Sequence, residues 1–207
     1  MPTITRIQQQ KDANRANIYL DGKFAFGITL EVLLKYHLNI DKEISEETIE
    51  VLKNEDAEEK IYARAVNFAT IRPRSEKEIR DWFKRKKVPE EVIEVVFNRL
   101  KNLNLVDDLA FAKWWIDQRQ TFRLKSKRFI QFELRKKGIS SEIITELLSE
   151  WGSENEENIA LALATKRHKR LIHLPVDEQK KKLTQFLAAR GFSWSEVKKV
   201  IDQLVEK

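Results

Sequence analysis

The densest chemistry in the chain is cationic. Between Arg119 and Lys137 stand eight basic residues, Arg119, Arg123, Lys125, Lys127, Arg128, Arg135, Lys136 and Lys137, against the single acid Glu133. A second group, Arg72, Arg74, Arg80, Lys84, Arg85, Lys86 and Lys87, lies upstream. Basic side chains lined along a surface neutralise phosphates and release counterions, which gives nucleic-acid affinity without sequence preference. They would serve an acidic protein surface equally well. Arg72, Arg74, Lys84, Arg85 and the eight cations of the tract are the candidate contacts. Arg123, Lys125, Lys127 and Arg128 surround only two apolar positions, Leu124 and Phe129, so most are expected at the surface. Phe122, Phe129 and Phe132 interleave with these charges and are of the type that stacks on unpaired bases. Phe129 and Phe132 lie at helical spacing beside Ile130, however, and core packing is the expected role.

Other chemistries lack their parts. Asp107 and Asp108 with Glu133 suggest a metal-dependent nuclease, but adjacent aspartates before Leu109-Ala110-Phe111-Ala112 read better as helix-start residues favoured by the dipole. The three histidines, His37, His168 and His173, form no metal-binding pattern, and Ser75 and Ser126 have no linked histidine and acid. With no cysteine, zinc, iron-sulfur and thiol chemistry lose their usual ligands. Neither G-x-x-x-x-G-K-[ST] nor G-x-G-x-x-G occurs, which argues against a nucleotide-hydrolysing enzyme. No cofactor, metal or catalytic residue is therefore expected. No apolar run approaches the ~18 residues of a membrane span and no secretory leader is visible, so the expected location is cytoplasmic.

The elements that must hold the cations divide the chain of 207 residues, whose net charge is +6. Residues 1-57 sum to −3, whereas 58-105, 106-152 and 153-207 sum to +4, +2 and +3. The acidic part reads as strands near 4-10, 16-20 and 24-28, with Asp21-Gly22 as a hairpin signal, then a helix over Leu30-His37 and another from Ser45. From Glu58 onward the apolar spacing is helical. Three stretches align on Lys87, Gly138 and Gly191, which stand 51 and 53 residues apart. Four residues before each anchor come Phe83, Leu134 and Leu187; eight before, Ile79, Ile130 and Leu183. Ile93, Ile144 and Val197 match after it, as do Phe97, Leu148 and Ile201, and then Leu100, Trp151 and Leu204. A helix precedes each stretch, at Ile61-Ala69, Leu109-Gln118 and Ile159-His168.

The expected fold is thus mainly α: three tandem three-helix, helix-turn-helix-like repeats (58-105, 106-152, 153-207) in an elongated curved array, after a small N-terminal β-hairpin and helix extension (1-57). Ser75-Glu76-Lys77-Glu78 and Ser193-Trp194-Ser195-Glu196 read as capping boxes, and Pro89 and Pro175 as first-turn prolines. Gly138 and Gly191 should end helices in the left-handed region, and Lys87 leaves the first turn different or strained. The five tryptophans read mostly as core, Trp151 most clearly, although adjacent Trp114 and Trp115 cannot both face one core.

Arg72-Pro73-Arg74-Ser75-Glu76-Lys77-Glu78-Ile79, Asp107-Asp108-Leu109-Ala110-Phe111-Ala112 and Glu133-Leu134-Arg135-Lys136-Lys137-Gly138-Ile139, taken in this order, resemble the bacterial regulatory RecX family. The likeness covers residues 58-207, and Tyr19-Leu20-Asp21-Gly22 matches the N-terminal extension of longer members. Lys87-Val88 departs from the glycine-hydrophobic pair of the other two repeats. The resemblance implies a regulator that binds RecA and its filament on single-stranded DNA; the expected protein is non-enzymatic and monomeric, with no membrane partner. It would lodge in the filament groove and usually inhibit strand exchange, ATP hydrolysis and LexA cleavage, with naked DNA as a further partner. The alternative is a helix-turn-helix transcription factor reading duplex DNA.

Overall fold

The computed structural model describes residues 1–122, 124–149 and 151–205, with Ser153, Glu154 and Asn155 described as backbone only. Three strands open the chain: β1 (Ile4–Gln9), β2 (Arg15–Leu20) and β3 (Lys23–Thr29), an antiparallel meander in the order β1-β2-β3. Asp21 and Gly22, both at positive φ (48° and 80°), make the two-residue turn between β2 and β3 that the twist of paired strands favours. Ten helices follow among the described residues: α1 (Leu30–Lys35), α2 (Glu46–Thr70), α3 (Glu76–Arg85), α4 (Glu90–Asn102), α5 (Asp108–Thr121), α6 (Lys127–Lys136), α7 (Ser141–Leu147), α8 (Ser153–His168), α9 (Val176–Ala188) and α10 (Trp194–Val205). None is long and apolar enough to cross a membrane.

The chain forms two compact units, one of Met1–Arg72 with Phe83–Leu105, the other of Pro73–Trp82 with Val106–Lys207. In the first, Ile4, Ile18, Phe26 and Ile28 of the sheet bury with Val32 and Leu52. α2 is tied to the sheet through buried Asp56, which receives two bonds from the Arg15 guanidinium (3.1 and 3.3 Å), one from the Thr29 amide (2.9 Å) and an ion pair from Lys60. Arg99 of α4 pairs with Glu59 and lies 3.5 Å over the Tyr62 ring. The helix from Ser45 and the helix at Ile61-Ala69, read separately in the sequence, are one unbroken α2 that runs through residue 57. Glycine and proline are absent from Glu46–Thr70, so nothing in the chain stops it.

The repeat register is written in the burial. Ile79, Ile130, Leu183, Phe83, Leu134 and Leu187 are all fully buried, and Ile93, Ile144 and Val197 nearly so. Gly138 and Gly191 have φ of +86° and +88°, and Lys87 takes the same left-handed conformation at +54°. The closing bonds are also the same: Ile139 to Leu134, Phe192 to Leu187 and Val88 to Phe83. Lys87 therefore makes the turn its repeat needs, without glycine.

Contacts on the turn separate the three positions. A Cβ on Gly138 would stand 2.8 Å from the Lys77 Cβ, and one on Gly191 would stand 2.6 Å from the Ser126 Oγ and 2.7 Å from the Phe129 Cβ. In each case the start of the preceding repeat's second helix lies on the glycine. Ser75, before α3, donates its hydroxyl to the Lys137 carbonyl (2.8 Å) at the end of α6; the Ser126 amide, before α6, donates to the Arg190 carbonyl (3.1 Å) at the end of α9. An acid from the next repeat completes each joint, Asp108 accepting the Glu76 amide (2.8 Å) and Glu156 accepting the Lys127 amide. The free amides and positive dipole end of one helix thus meet the free carbonyls and negative dipole end of the next. The Lys87 side chain, by contrast, is exposed.

Local caps follow the sequence with two corrections. Ser193 and Glu196 complete a reciprocal capping box, whereas at Ser75 only the serine half forms, because Glu78 turns to Lys137. Pro89 and Pro175 occupy the N-cap, one residue earlier than the first turn, since each keeps an extended ψ (145° and 148°).

Gly138→Ala and Gly191→Ala should each lower the free energy of unfolding by about 1–2 kcal/mol from left-handed strain alone, and by more from the clash with the preceding helix. Lys87→Gly should be neutral or stabilising by up to about 1 kcal/mol, because it relieves strain in an exposed turn. Urea unfolding of the three variants reads both effects; an alanine tolerated at Gly138 or Gly191 would mean that the turn is not covered.

Candidate functional site

The basic residues singled out from the sequence divide into those the fold uses and those it leaves open. Arg119 on α5 directs Nε and Nη2 to Glu133 on α6 (2.5 and 3.1 Å) and lies 4.2 Å over the Trp115 ring, whose Nε1 donates to the same carboxylate (2.9 Å). Lys137 pairs with Glu78 of α3 (2.5 Å), and Arg74 stands 4.0 Å from that glutamate's other oxygen. Lys127 donates its ammonium to the Trp151 carbonyl (3.1 Å), and Lys125 holds its own 4.1 Å over the Phe129 ring and 3.5 Å from the Ala189 carbonyl. These cations serve the joints and helix ends. The expectation that Lys125 and Lys127 lie open at the surface is corrected: both are half-buried, because the tract runs through the seam between the second and third repeats. Arg72 is half-buried in the first unit, and Arg123 lies outside the described residues.

Arg128, Arg135 and Lys136 on α6 are exposed and pair with no side chain among the described residues. In the first unit the same is true of Lys84 and Arg85 at the end of α3, with Lys86 and Lys87 beside them. A long-chain cation that makes no internal pair keeps its whole charge for a partner, whereas a paired one must first lose its carboxylate. The tract's apparent shortage of acid was a local property of the sequence. Glu78, 59 residues from Lys137, supplies a carboxylate to that cation across the repeat joint, and Glu156, 29 residues from Lys127, accepts the Lys127 backbone amide.

Beside Arg128 is a hollow of about 310 Å³ at the joint between the second and third repeats, with Trp151, Gly191, Glu156 and Glu196 on its walls. Burial pushes the Glu156 carboxyl above the usual carboxylate range; the Lys127 amide opposes this and the neighbouring Glu196 adds to it. The aspartates before α5 work as the sequence suggests: Asp107 caps the helix by accepting the Ala110 amide (2.9 Å). Asp108 is spent on the Glu76 amide and Glu133 on Arg119 and Trp115, so the three acids do not converge, and no metal-binding group of acids and histidines occurs among the described residues.

The aromatic residues depart further from expectation. Trp151 is buried, but Trp194 is 72% exposed at the start of α10, and Phe132 is 60% exposed instead of entering the core. Phe132 sits on the face of α6 opposite Ile130 and Leu134, and two residues of helix turn a side chain about 200°. Trp114 and Trp115 are both half-buried along the edge of the second repeat's core, with rings 6.0 Å apart and inclined at 61°. The signal the sequence reading missed is the serine before each second helix, which looks like an ordinary cap until its second bond is seen.

Four family models match the chain in order: the regulatory protein RecX N-terminal domain over residues 2–45, and the first, second and third three-helix domains of RecX over 62–100, 107–148 and 154–201. The regulatory protein RecX of Limosilactobacillus reuteri is 32% identical over 205 residues, covering 99% of this chain and 78% of that protein. Those of Listeria welshimeri and Bacillus subtilis are 35% and 33% identical, covering 92% and 99% of this chain and 71% and 78% of theirs. A crystal structure of regulatory protein RecX superposes with a TM-score of 0.73 at 30% identity, covering 100% of this chain and 99% of that one. The RecX structure from Lactobacillus salivarius gives 0.59 at 26% identity over 72% and 97%.

The raised Glu156 carboxyl gives the joint a pH signature. Its contribution to stability is fully present below the ordinary carboxylate range and is lost as pH rises through its folded pKa. Glu156→Gln keeps an acceptor for the Lys127 amide without the charge, so at pH 7 it should equal or exceed the parent in stability, with the difference closing towards pH 4. Glu156→Ala leaves that amide unmet and should cost about 1–3 kcal/mol at pH 7. Unfolding of the three proteins at both pH values checks the sign, and a glutamine variant that loses stability at pH 7 but not at pH 4 would reverse it.

Proposed function

The chain belongs to the RecX family of regulatory proteins, and from that premise we propose that it binds RecA and the RecA filament on single-stranded DNA. There it restrains the filament's strand exchange, ATP hydrolysis and LexA cleavage, without chemistry of its own. ATP belongs to RecA. The observation that carries this reading beyond the family is the set of exposed cations with no side-chain partner among the described residues, Arg128, Arg135 and Lys136 on α6, and Lys84 and Arg85 at the end of α3 with Lys86 and Lys87 after it. Such side chains suit a partner rich in phosphate or carboxylate. They belong to the binding surface on this reading, and Arg119, Lys127 and Lys137 to its support.

Duplex reading by a helix-turn-helix module is disfavoured by the third helices of the first two repeats. α4 exposes Glu90, Glu91 and Glu94, and α7 exposes Glu142 and Glu146, where a recognition helix would approach phosphates. Those carboxylates would be repelled.

The triple reversal Arg128→Glu, Arg135→Glu and Lys136→Glu should raise the concentration needed to inhibit RecA ATPase on single-stranded DNA by about tenfold or more, with the unfolding midpoint unchanged. If these cations meet phosphates, the salt slope of binding should fall by roughly 0.7 for each phosphate of a single strand that is no longer neutralised. If they meet RecA, naked-DNA binding should hold while inhibition disappears. A triple variant that inhibits as well as the parent would remove these residues from the surface.

A further inference from the structure

On α5, Trp114 and Gln118 lie one turn apart, and Trp115, Arg119 and Phe122 continue the same face to the end of the helix. Together the five enclose a hollow of about 220 Å³, open on one side. Its walls are unusually well fixed for a surface feature. The Trp115 ring is held by Glu133 through Nε1, Arg119 is held flat over that ring by the same carboxylate, and Phe111 lies 5.6 Å beneath it. Phe122, at the C-cap, is 72% exposed and stands as the outer wall.

The chemistry of this slot is narrow. Trp114, Phe122 and the guanidinium stacked on Trp115 offer planar, polarisable surface, while the Arg119 charge is already met by Glu133, so the slot itself is not a phosphate site. Gln118 adds an amide that both donates and accepts, which suits the polar edge of a planar ring and does nothing for an aliphatic side chain. Unpaired cations lie outside the slot in the same unit, with Lys113 exposed on α5 one residue before Trp114 and Arg135 and Lys136 exposed on α6. An apolar, planar interior with a positive surround complements an unpaired nucleobase on its phosphate strand.

We propose that this slot binds one unpaired base of single-stranded nucleic acid, stacked between Phe122 and the Arg119 guanidinium that covers Trp115, with its edge towards Gln118. A paired base is already stacked inside its duplex and is unavailable, so the slot selects single strands whatever their sequence. The inference goes beyond the regulatory reading and stands without RecA.

The test uses the full chain with three fluorescent probes of equal length: oligothymidylate, an abasic strand carrying the same phosphates, and duplex DNA. The parent should bind oligothymidylate at least about fivefold more tightly than the abasic strand, and only oligothymidylate should quench tryptophan fluorescence. Phe122→Ala, at an exposed position that folding does not need, should weaken oligothymidylate binding by about 5- to 150-fold and leave abasic and duplex binding unchanged. Phe122→Trp should restore it. Equal affinity for the thymidine and abasic strands, no binding to either, or an alanine variant that binds as the parent does would overturn the proposal. So would an alanine variant that keeps oligothymidylate binding and loses only RecA inhibition, since the slot would then receive a protein side chain.

Discussion

The structure depends on one repeated arrangement, the amino end of a helix resting on the carboxyl end of the corresponding helix in the next repeat. A helix leaves its first amides and last carbonyls unbonded, and a buried group in that condition is costly. Here each end satisfies the other: Ser75 on Lys137, Ser126 on Arg190, with Asp108 and Glu156 taking the remaining amides at Glu76 and Lys127. The positive end of one helix dipole lies beside the negative end of the next, which adds to the attraction. The glycines, the capping serines and two acids that look dispensable are all consequences of that contact.

The same contact sorts the charges. A cation near a joint meets an acid or a carbonyl from the adjoining repeat, as Lys137 meets Glu78 and Lys125 meets the Ala189 carbonyl. A cation on the outward face of α6, such as Arg128, Arg135 or Lys136, meets none among the described residues. Half-buried pairs of this kind hold position more than they add stability, and that is the use they have here: they fix the helices that present the open charges and the Trp115 slot. Net charge alone would assign every basic residue of the tract to a partner. Among the described residues, only Arg128, Arg135 and Lys136 of the tract are exposed with no side-chain partner.

Much of the fold was legible in the sequence because its signals are local or periodic. The Asp21-Gly22 hairpin, the caps at Ser45 and Ser193, the left-handed Gly138 and Gly191 and the recurring buried positions from Ile79 to Ile201 all follow from short-range preferences or a fixed repeat. What could not be read was non-local. Nothing near Lys137 announces Glu78, and nothing near Ser126 announces Arg190. The helical spacing that places Phe132 beside Ile130 in sequence does not decide which faces inward, and Trp194 is exposed for the same reason. The unbroken α2 was missed because a good N-terminal signal at Ser45 and a later alanine-rich stretch look like two beginnings when no stop signal is sought between them. Lys87 shows the converse: its left-handed turn was in doubt for want of glycine, yet its open side chain shows why lysine is admissible there and not at the two covered turns.

The most direct measurement is native-state hydrogen exchange at the backbone amides of Glu76, Ser126 and Lys127. First-turn amides of an uncovered helix exchange freely, since nothing within the helix bonds them. With the joints in place, all three should be protected to a degree approaching that of core amides such as Ile130 and Leu134, and protection at Lys127 should fall selectively in Glu156→Ala. Rapid exchange at these three positions in a folded protein would contradict the joint, and with it the division of the basic residues into supports and contacts.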